Sequence, residues 1–258
     1  MTVTSSGGPP LLAIEGRIAR IRLNRPERHN RFEAPDIAAL DAILDRIGSA
    51  PGVRAAIVTA EGPSFSAGFD IGGLGTDEAE RQTLAFGALC DRLEALSVPT
   101  VCAVNGGVYG GGTDFALACD LRIGVRHARM MMPPTRLGLE YFHGGLRRYV
   151  EQLGASAAKR LILTAETIEA DEMLRCGFLH AVVDAGELRH RVEALAASCA
   201  MGAPGATRGL KASLNAIAQG RADAAAIQAR FVSALASPNA QEGVRAWKAR
   251  RPPVFVDD

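Results

Sequence analysis

Two segments of this chain combine glycine with a position where backbone chemistry is possible. Residues 60–70 read A-E-G-P-S-F-S-A-G-F-D, and residues 104–114 read V-N-G-G-V-Y-G-G-G-T-D. Each follows a short apolar run with the length of a buried strand. Glycine in such a turn lets the backbone approach a ligand closely, and a turn entering a helix leaves N–H groups without intrahelical partners. Two such turns on neighbouring strands aim two N–H donors at one oxygen. That arrangement is an oxyanion hole, suited to a carbonyl on which negative charge develops as an enolate forms, and one donor of this kind is worth roughly 3 to 4 kcal/mol. Two plainer readings stand beside it: both clusters are only tight turns, or the G-G-G run is a phosphate loop. Against the phosphate loop, the sequence has no G-K-[ST] and no complete G-x-G-x-x-G.

The flanking elements are legible from periodicity. Residues 11–24, L-L-A-I-E-G-R-I-A-R-I-R-L-N, are two apolar runs around Glu15 and Gly16, which predicts a β-hairpin. Residues 38–47 carry Leu40, Ile43, Leu44 and Ile47 at helical spacing, and residues 54–60 form a strand-length apolar run. The same order returns as a helix at 83–96, a break at Ser97-Val98-Pro99, and a buried strand at 100–104. A glycine turn at 106–112, a short helix at 113–119 and a strand at 121–125 follow. Repeated strand and helix units with short crossovers predict an α/β fold. After about Gly144 the pattern is helical, at 146–153, 157–163, 170–176, 187–199, 208–218, 222–236 and 241–250, with one strand at 180–183.

Composition narrows the function classes. The chain has 258 residues, 48% hydrophobic and 22% charged, enough for one sizeable core in a globular enzyme. A formal net charge of +1 gives no nucleic-acid footprint. The five cysteines, Cys90, Cys102, Cys119, Cys176 and Cys199, lie far apart with no C-x-x-C and no metal-ligand spacing, so they read as reduced core residues and no metal is expected. Residues 1–10 are Ser/Gly/Pro-rich, with neither a basic start nor an apolar core, so no secretory signal is expected. No run approaches the roughly 20 apolar residues of a membrane span. A cytoplasmic protein is the expectation.

Beyond these patterns, six collinear blocks resemble the enoyl-CoA hydratase/isomerase (crotonase) family. They are N-R-P-E-R-H-N at 24–30, S-F-S-A-G-F-D-I at 64–71, A-V-N-G-G-V-Y-G-G-G-T-D-F-A-L-A-C-D at 103–120 and R-L-G-L at 136–139. Residues 161–183, containing L-T-A-E-T-I-E-A-D-E-M-L-R-C-G-F-L-H-A-V-V, and W-K-A-R-R-P-P-V-F at 247–255 complete the set. The resemblance implies a crotonase-like spiral of strand-strand-helix units with a helical C-terminal trimerisation part. It divides the chain into a flexible segment 1–10, an α/β core 11–200 and a helical oligomerisation region 201–258. Family membership does not by itself name the reaction.

Carried over by position, the resemblance makes the backbone N–H groups of Phe69 and Gly111 the oxyanion donors. Family hydratases pair two glutamates to activate water and protonate the α-carbon. Asp114 occupies the first of those positions, one methylene shorter, and the second falls on Pro134, which handles no proton. Asp114 therefore reads either as the remaining base or as an acidic residue complementing a helix start. After Gly138 the chain runs L-E-Y-F-H-G-G, placing Glu140, Tyr141 and His143 beside the expected acyl pocket. Tyr141 resembles the tyrosine of the family's decarboxylase branch, where a malonyl-type thioester loses carbon dioxide; a pocket-lining role for Tyr141 and His143, and a solvated loop carboxylate for Glu140, are the plainer readings.

The same resemblance implies coenzyme A as part of the substrate and no permanently bound cofactor. Arg28, His29, Ser66, Ala67, Asp70 and Ile71 would border the adenine and pantetheine, with Gly110 and Pro134 near the acyl end. Arg250 and Arg251, in a run with Arg245 and Lys248, are candidates for the coenzyme's phosphates, although a bare charge run is usually a solvated face. The implied partners are an acyl-CoA and further copies of the chain, as a homotrimer or dimer of trimers, with no nucleic acid and no membrane.

Overall fold

The computed structural model describes residues 7–70, 72 and 75–257. Strands β1 (Leu11–Glu15) and β2 (Ile18–Leu23) form the predicted hairpin, turning at Gly16, where φ is 58°. Helix α1 (Ala34–Ser49) and strand β3 (Ala55–Ala60) follow. Then the chain repeats a strand-strand-helix unit. Its first copy is β3, β4 (Ser64–Ser66) and α2 (Asp77–Glu94); its second is β5 (Thr100–Val104), β6 (Gly107–Tyr109) and α3 (Gly111–Leu117). The third is β7 (Leu121–Val125), β8 (Arg129–Met131) and, after a 3-10 turn at Pro134–Leu137, α4 (His143–Thr164).

The first strand of each unit joins a six-stranded sheet ordered β1-β2-β3-β5-β7-β10, where β10 is Ala181–Val183. The second strand joins a four-stranded sheet ordered β4-β6-β8-β9, closed by β9 (Ile168–Glu169). Apart from the β1-β2 and β8-β9 edges, every pairing is parallel. Parallel strands covered on both faces read as continuous apolar runs, and β5, T-V-C-A-V, is buried throughout. The fold class is the expected α/β one. The second sheet is the main departure from the sequence reading, because strands of two or three residues carry too few alternations to register as a pattern.

Helix α4 bears out the two separate runs expected at 146–153 and 157–163, since Gly154 breaks the helix with φ 78° and ψ 154°. Helix α5 (Ala170–Arg175) precedes β10, and α6 (Leu188–Ala200) packs on the sheet through Leu188, Val192, Ala196 and Ala200 at helical spacing. Helices α7 (Pro204–Ala218), α8 (Ala224–Leu235) and α9 (Pro238–Lys248) complete the chain. Lys211 ties α7 to the core, its buried Nζ donating to Val98 O at 3.0 Å and Asp120 Oδ2 at 2.7 Å. By contrast α8 buries no residue, and Phe231, Val232 and Leu235 stand exposed along it.

Candidate active site

The two glycine turns meet where β4 and β6 end. Gly68, at φ 92°, has its backbone so close to the second turn that a Cβ there would lie 2.6 Å from Tyr109 O and 3.0 Å from Gly111 N. Any side chain would force the turns apart. Four bonds hold the first turn. Ala67 N donates to His29 O at 2.7 Å, Gly68 N to Ser66 Oγ at 3.0 Å, Phe32 N to Gly68 O at 2.8 Å and Asp70 N to Phe32 O at 3.1 Å. In this bridge Phe69 lies between the two bonded residues, so its own N–H points away from Phe32. The second turn is fixed by Gly110 N to Met131 O at 2.9 Å, with Gly110 at φ 50°. Gly111 and Gly112, expected to precede the helix, are its first residues. As the first residue of α3, Gly111 has no intrahelical acceptor for its N–H.

These two N–H groups are neighbours. Phe69 N lies 3.3 Å from the place where a Gly111 Cβ would be, and neither N–H has an acceptor among the described residues. Phe86 of α2 closes the same place, its Cε1 3.0 Å from that point and its ring 5.8 Å from that of Phe69.

One turn along α3 stands Asp114, fully buried at 0% exposure. Both carboxylate oxygens are occupied by Arg148 of α4, also at 0%: Nε donates to Oδ1 at 2.7 Å and the second guanidinium nitrogen to Oδ2 at 3.0 Å. Tyr141 adds a third donor, its hydroxyl 3.3 Å from Oδ2. Burial raises the Asp114 pKa and the hydrogen bonds and charge of Arg148 oppose this, leaving the net direction upward. Burial would lower the Arg148 pKa, but its bonds to Asp114 more than offset that, and the guanidinium stays cationic. Burial and the Asp114 charge push the Tyr141 phenol well above its usual range, so it stays protonated. Tyr141 fits over the start of α4 only because residue 145 is glycine, where a Cβ would fall 2.1 Å from its Cε1.

A model of the enoyl-CoA hydratase/isomerase family matches residues 13–258. The short-chain-enoyl-CoA hydratase of Clostridium acetobutylicum is 34% identical over 209 residues, covering 80% of each chain. The crotonyl-CoA hydratase of Syntrophomonas wolfei is 32% identical over 253 residues, covering 95% of this chain and 97% of the relative. A crystal structure of enoyl-CoA hydratase from Bacillus anthracis gives a TM-score of 0.90 at 26% identity, over 96% of this chain and 99% of that one. This chain belongs to the enoyl-CoA hydratase/isomerase family. It is an acyl-CoA thioester enzyme of the crotonase type, whose exact reaction depends on its own side chains.

Within the hydratase/isomerase frame, the remaining predicted residues fall into three groups. Ser66, Asn30 and His29 knit the loop at 25–31 to β4: Ser66 Oγ donates to Asn30 O at 2.8 Å, and His29 Nδ1 lies 3.0 Å from Ser64 Oγ. Ser66 is fully buried and so shapes the turn from beneath, while Ala67 is exposed at its rim. Arg28 pairs with Glu33 at 2.8 Å and Asp70 with Arg31 at 3.1 Å. Ile71 lies outside the described residues. A second group, Pro134, Glu140 and His143, spans the link into α4; Pro134 is buried in the 3-10 turn, whereas Glu140 and His143 are exposed. Third, Arg250 and Arg251 follow α9, where Arg251 donates to Glu242 Oε1 at 2.6 Å.

Sequence reasoning missed Arg148, Asp91 and Phe86 as site residues. Arg148 sits in L-R-R-Y, which reads as a charged helix face. The available signal was its register: three residues after Gly145 and one before Tyr149, it falls on the stripe that α4 buries.

Proposed function

We propose that this protein binds an acyl-CoA and polarises its thioester carbonyl with the N–H groups of Phe69 and Gly111, stabilising the enolate in a hydratase/isomerase-type reaction. The observation that supports this reading is the proximity of two N–H groups from separate turns, neither with an acceptor among the described residues. Donors set in place beforehand act where charge develops and need no reorganisation during reaction. Coenzyme A enters as part of the substrate, along the rim formed by Arg28, His29, Ala67 and Asp70, with no permanently held cofactor.

Proton handling falls to Asp114 and Tyr141. Two-carboxylate hydration needs a base for water and an acid for the α-carbon, and here both Asp114 oxygens are occupied while the other position is Pro134. That occupancy favours a second reading, decarboxylation of a malonyl-type thioester. In it the carbon–carbon bonding pair moves onto the thioester as an enolate, carbon dioxide leaves, and a donor protonates the α-carbon. Exposed Phe231, Val232 and Leu235 on α8 support self-association of region 201–258 as a homotrimer or dimer of trimers. No helix among the described residues is long and apolar enough to cross a membrane. The five free cysteines support a cytoplasmic location.

Assay of crotonyl-CoA beside malonyl-type and branched thioesters tests the reading. Crotonyl-CoA hydration is expected about a hundredfold or more below that of a two-glutamate relative, the contribution of one acid/base group. An ordinary hydratase rate would mean either that Glu140 fills the missing role or that Pro134 does not stand at the second glutamate position, and Glu140→Gln decides: loss of the rate assigns the role to Glu140, retention moves the position elsewhere. Binding without turnover of any thioester would overturn the enzymatic reading in favour of an acyl-CoA-binding protein.

A further inference from the structure

Beneath the site, α2, α3 and α4 share a cluster in which four carboxylates meet two guanidiniums. Arg148 spans it, bonded to Asp114 on one side and, at 2.5 Å, to Asp91 of α2 on the other. Glu94 lies 3.6 Å from Arg148 and also pairs with Arg147, which bonds Glu151 at 2.6 Å. Asp91 is half-exposed, whereas Asp114 and Arg148 are sealed from water. A stability role alone is a weak explanation for such an element, since a buried ion pair is often no more stabilising than apolar residues of the same volume.

We infer that Arg148 is the positioning residue of the proton-transfer side: its two-point grip fixes Asp114 as an anchored carboxylate, which in turn aims the Tyr141 hydroxyl, so that the phenol rather than the carboxylate exchanges the proton with substrate. This rests on the enolate reading above. Asp114 is three residues beyond Gly111 on α3, and residues so spaced lie on one helix face. Asp114, the carboxylate that holds the hydroxyl, therefore stands about one helical turn along α3 from Gly111. In the resting site the hydroxyl donates to Asp114. When an enolate forms, the hydroxyl turns about its C–O bond and passes its proton to the α-carbon. The bonding pair stays on the phenol oxygen, which then takes a proton from water.

The groups facing Asp114 set how this depends on pH. They are Arg148, Tyr141 and Tyr149 from the α4 side, and Cys90 and Asp91 from α2. Arg148 is the one cation among them. Without it, only the Tyr141 hydrogen bond opposes burial and the Asp91 charge, and the Asp114 pKa rises further.

Arg148→Gln, Arg148→Lys, Tyr141→Phe and the Gln/Phe double variant test the inference. Infrared difference spectra against Asp114→Asn report the charge of Asp114 with no substrate present. Wild type and Arg148→Lys are expected to show an ionised Asp114 at neutral pH, and Arg148→Gln a protonated one. On the thioester that wild type turns over, Arg148→Gln should lower kcat about a hundredfold, typical of one proton-transfer group, with KM nearly unchanged. Its acid limb should move to higher pH. Arg148→Lys should recover part of the loss, and the double variant should be no slower than Tyr141→Phe. An Asp114 whose charge ignores Arg148, a loss confined to KM, or additive losses in the double variant would each overturn the inference. If Arg148→Gln fails to fold, Tyr141→Phe carries the test: a wild-type kcat in that variant, which lacks the phenol proton, would overturn the inference equally. Wild type inactive on every thioester is the separate failure of the enolate reading.

Discussion

The glycine-turn side of the site is made of backbone, the N–H groups of Phe69 and Gly111, and the facing side is made of side chains, Tyr141, Asp114 and Arg148. On the first side, glycine is required at Gly68 because the opposing turn leaves no room for a Cβ. On the second, each group is held by the next, through contacts 27 and 34 residues apart in sequence. Backbone donors survive substitution of most neighbours, because every non-proline residue supplies an N–H. A side-chain relay is rebuilt whenever one member changes. The difference teaches that a backbone half tolerates sequence change better than a side-chain half, and on the proposed reading Pro134 is where this chain departs from the paired glutamates that the family resemblance implies.

The largest effect should come from the backbone side. Gly111→Pro removes one N–H and is expected to cost about 100- to 1000-fold in kcat, while coenzyme A still raises the melting temperature. A Cβ at this position meets Phe86 at 3.0 Å, so Gly111→Ala is the needed partner: it adds the bulk and keeps the donor. Equal losses in the two variants would show that Phe86 displacement, and not the missing N–H, is responsible.

A smaller effect is expected on the side-chain half. Gly145→Ala puts a methyl 2.1 Å from Tyr141 Cε1 and 3.1 Å from Asp114 Oδ2, so the phenol must move. A displacement near 1 Å costs on the order of a hundredfold, and alanine in a helix does not itself weaken it. Reduced kcat at an unchanged or raised melting temperature would match the role given to Tyr141; full activity would detach Tyr141 from the reaction.

The smallest effect belongs to a region outside both halves. Glu242 of α9 is held down to about 2 by the Arg251 hydrogen bond first, then by Val254 N–H. A depressed carboxylate contributes stability that is present above its ordinary value near 4.5 and is lost as pH falls towards 2. Glu242→Gln should therefore flatten the acid-side fall in melting temperature across that window and leave kcat alone. A change in kcat would couple the C-terminal helices to the chemistry and break the two-sided division.

Much of the fold was legible because its evidence is local. The hairpin at Gly16, the buried strands β3, β5 and β7, and the break in α4 all follow from apolar spacing and from single glycines. Periodicity assigns residues 107–109 to a turn and gives residues 129–131 no element, yet they pair as β6 and β8. Nothing in a three-residue segment specifies a partner twenty residues away. Asp114 was legible as a charged residue near a helix start, but its two readings, free base or helix-end charge, both omitted Arg148.

By itself, then, the sequence determined where backbone must come close, which strands must be buried and which family frame the chain adopts, because glycine conformation, apolar periodicity and collinear motifs are written locally. Tertiary structure decided that Phe69 N and Gly111 N become neighbours, that Arg148 rather than water meets Asp114, and that Tyr141 reaches the same carboxylate. Those are distances between segments far apart in the chain. They are set by how α3 and α4 pack over the strand ends, and a buried charge takes whichever partner that packing supplies.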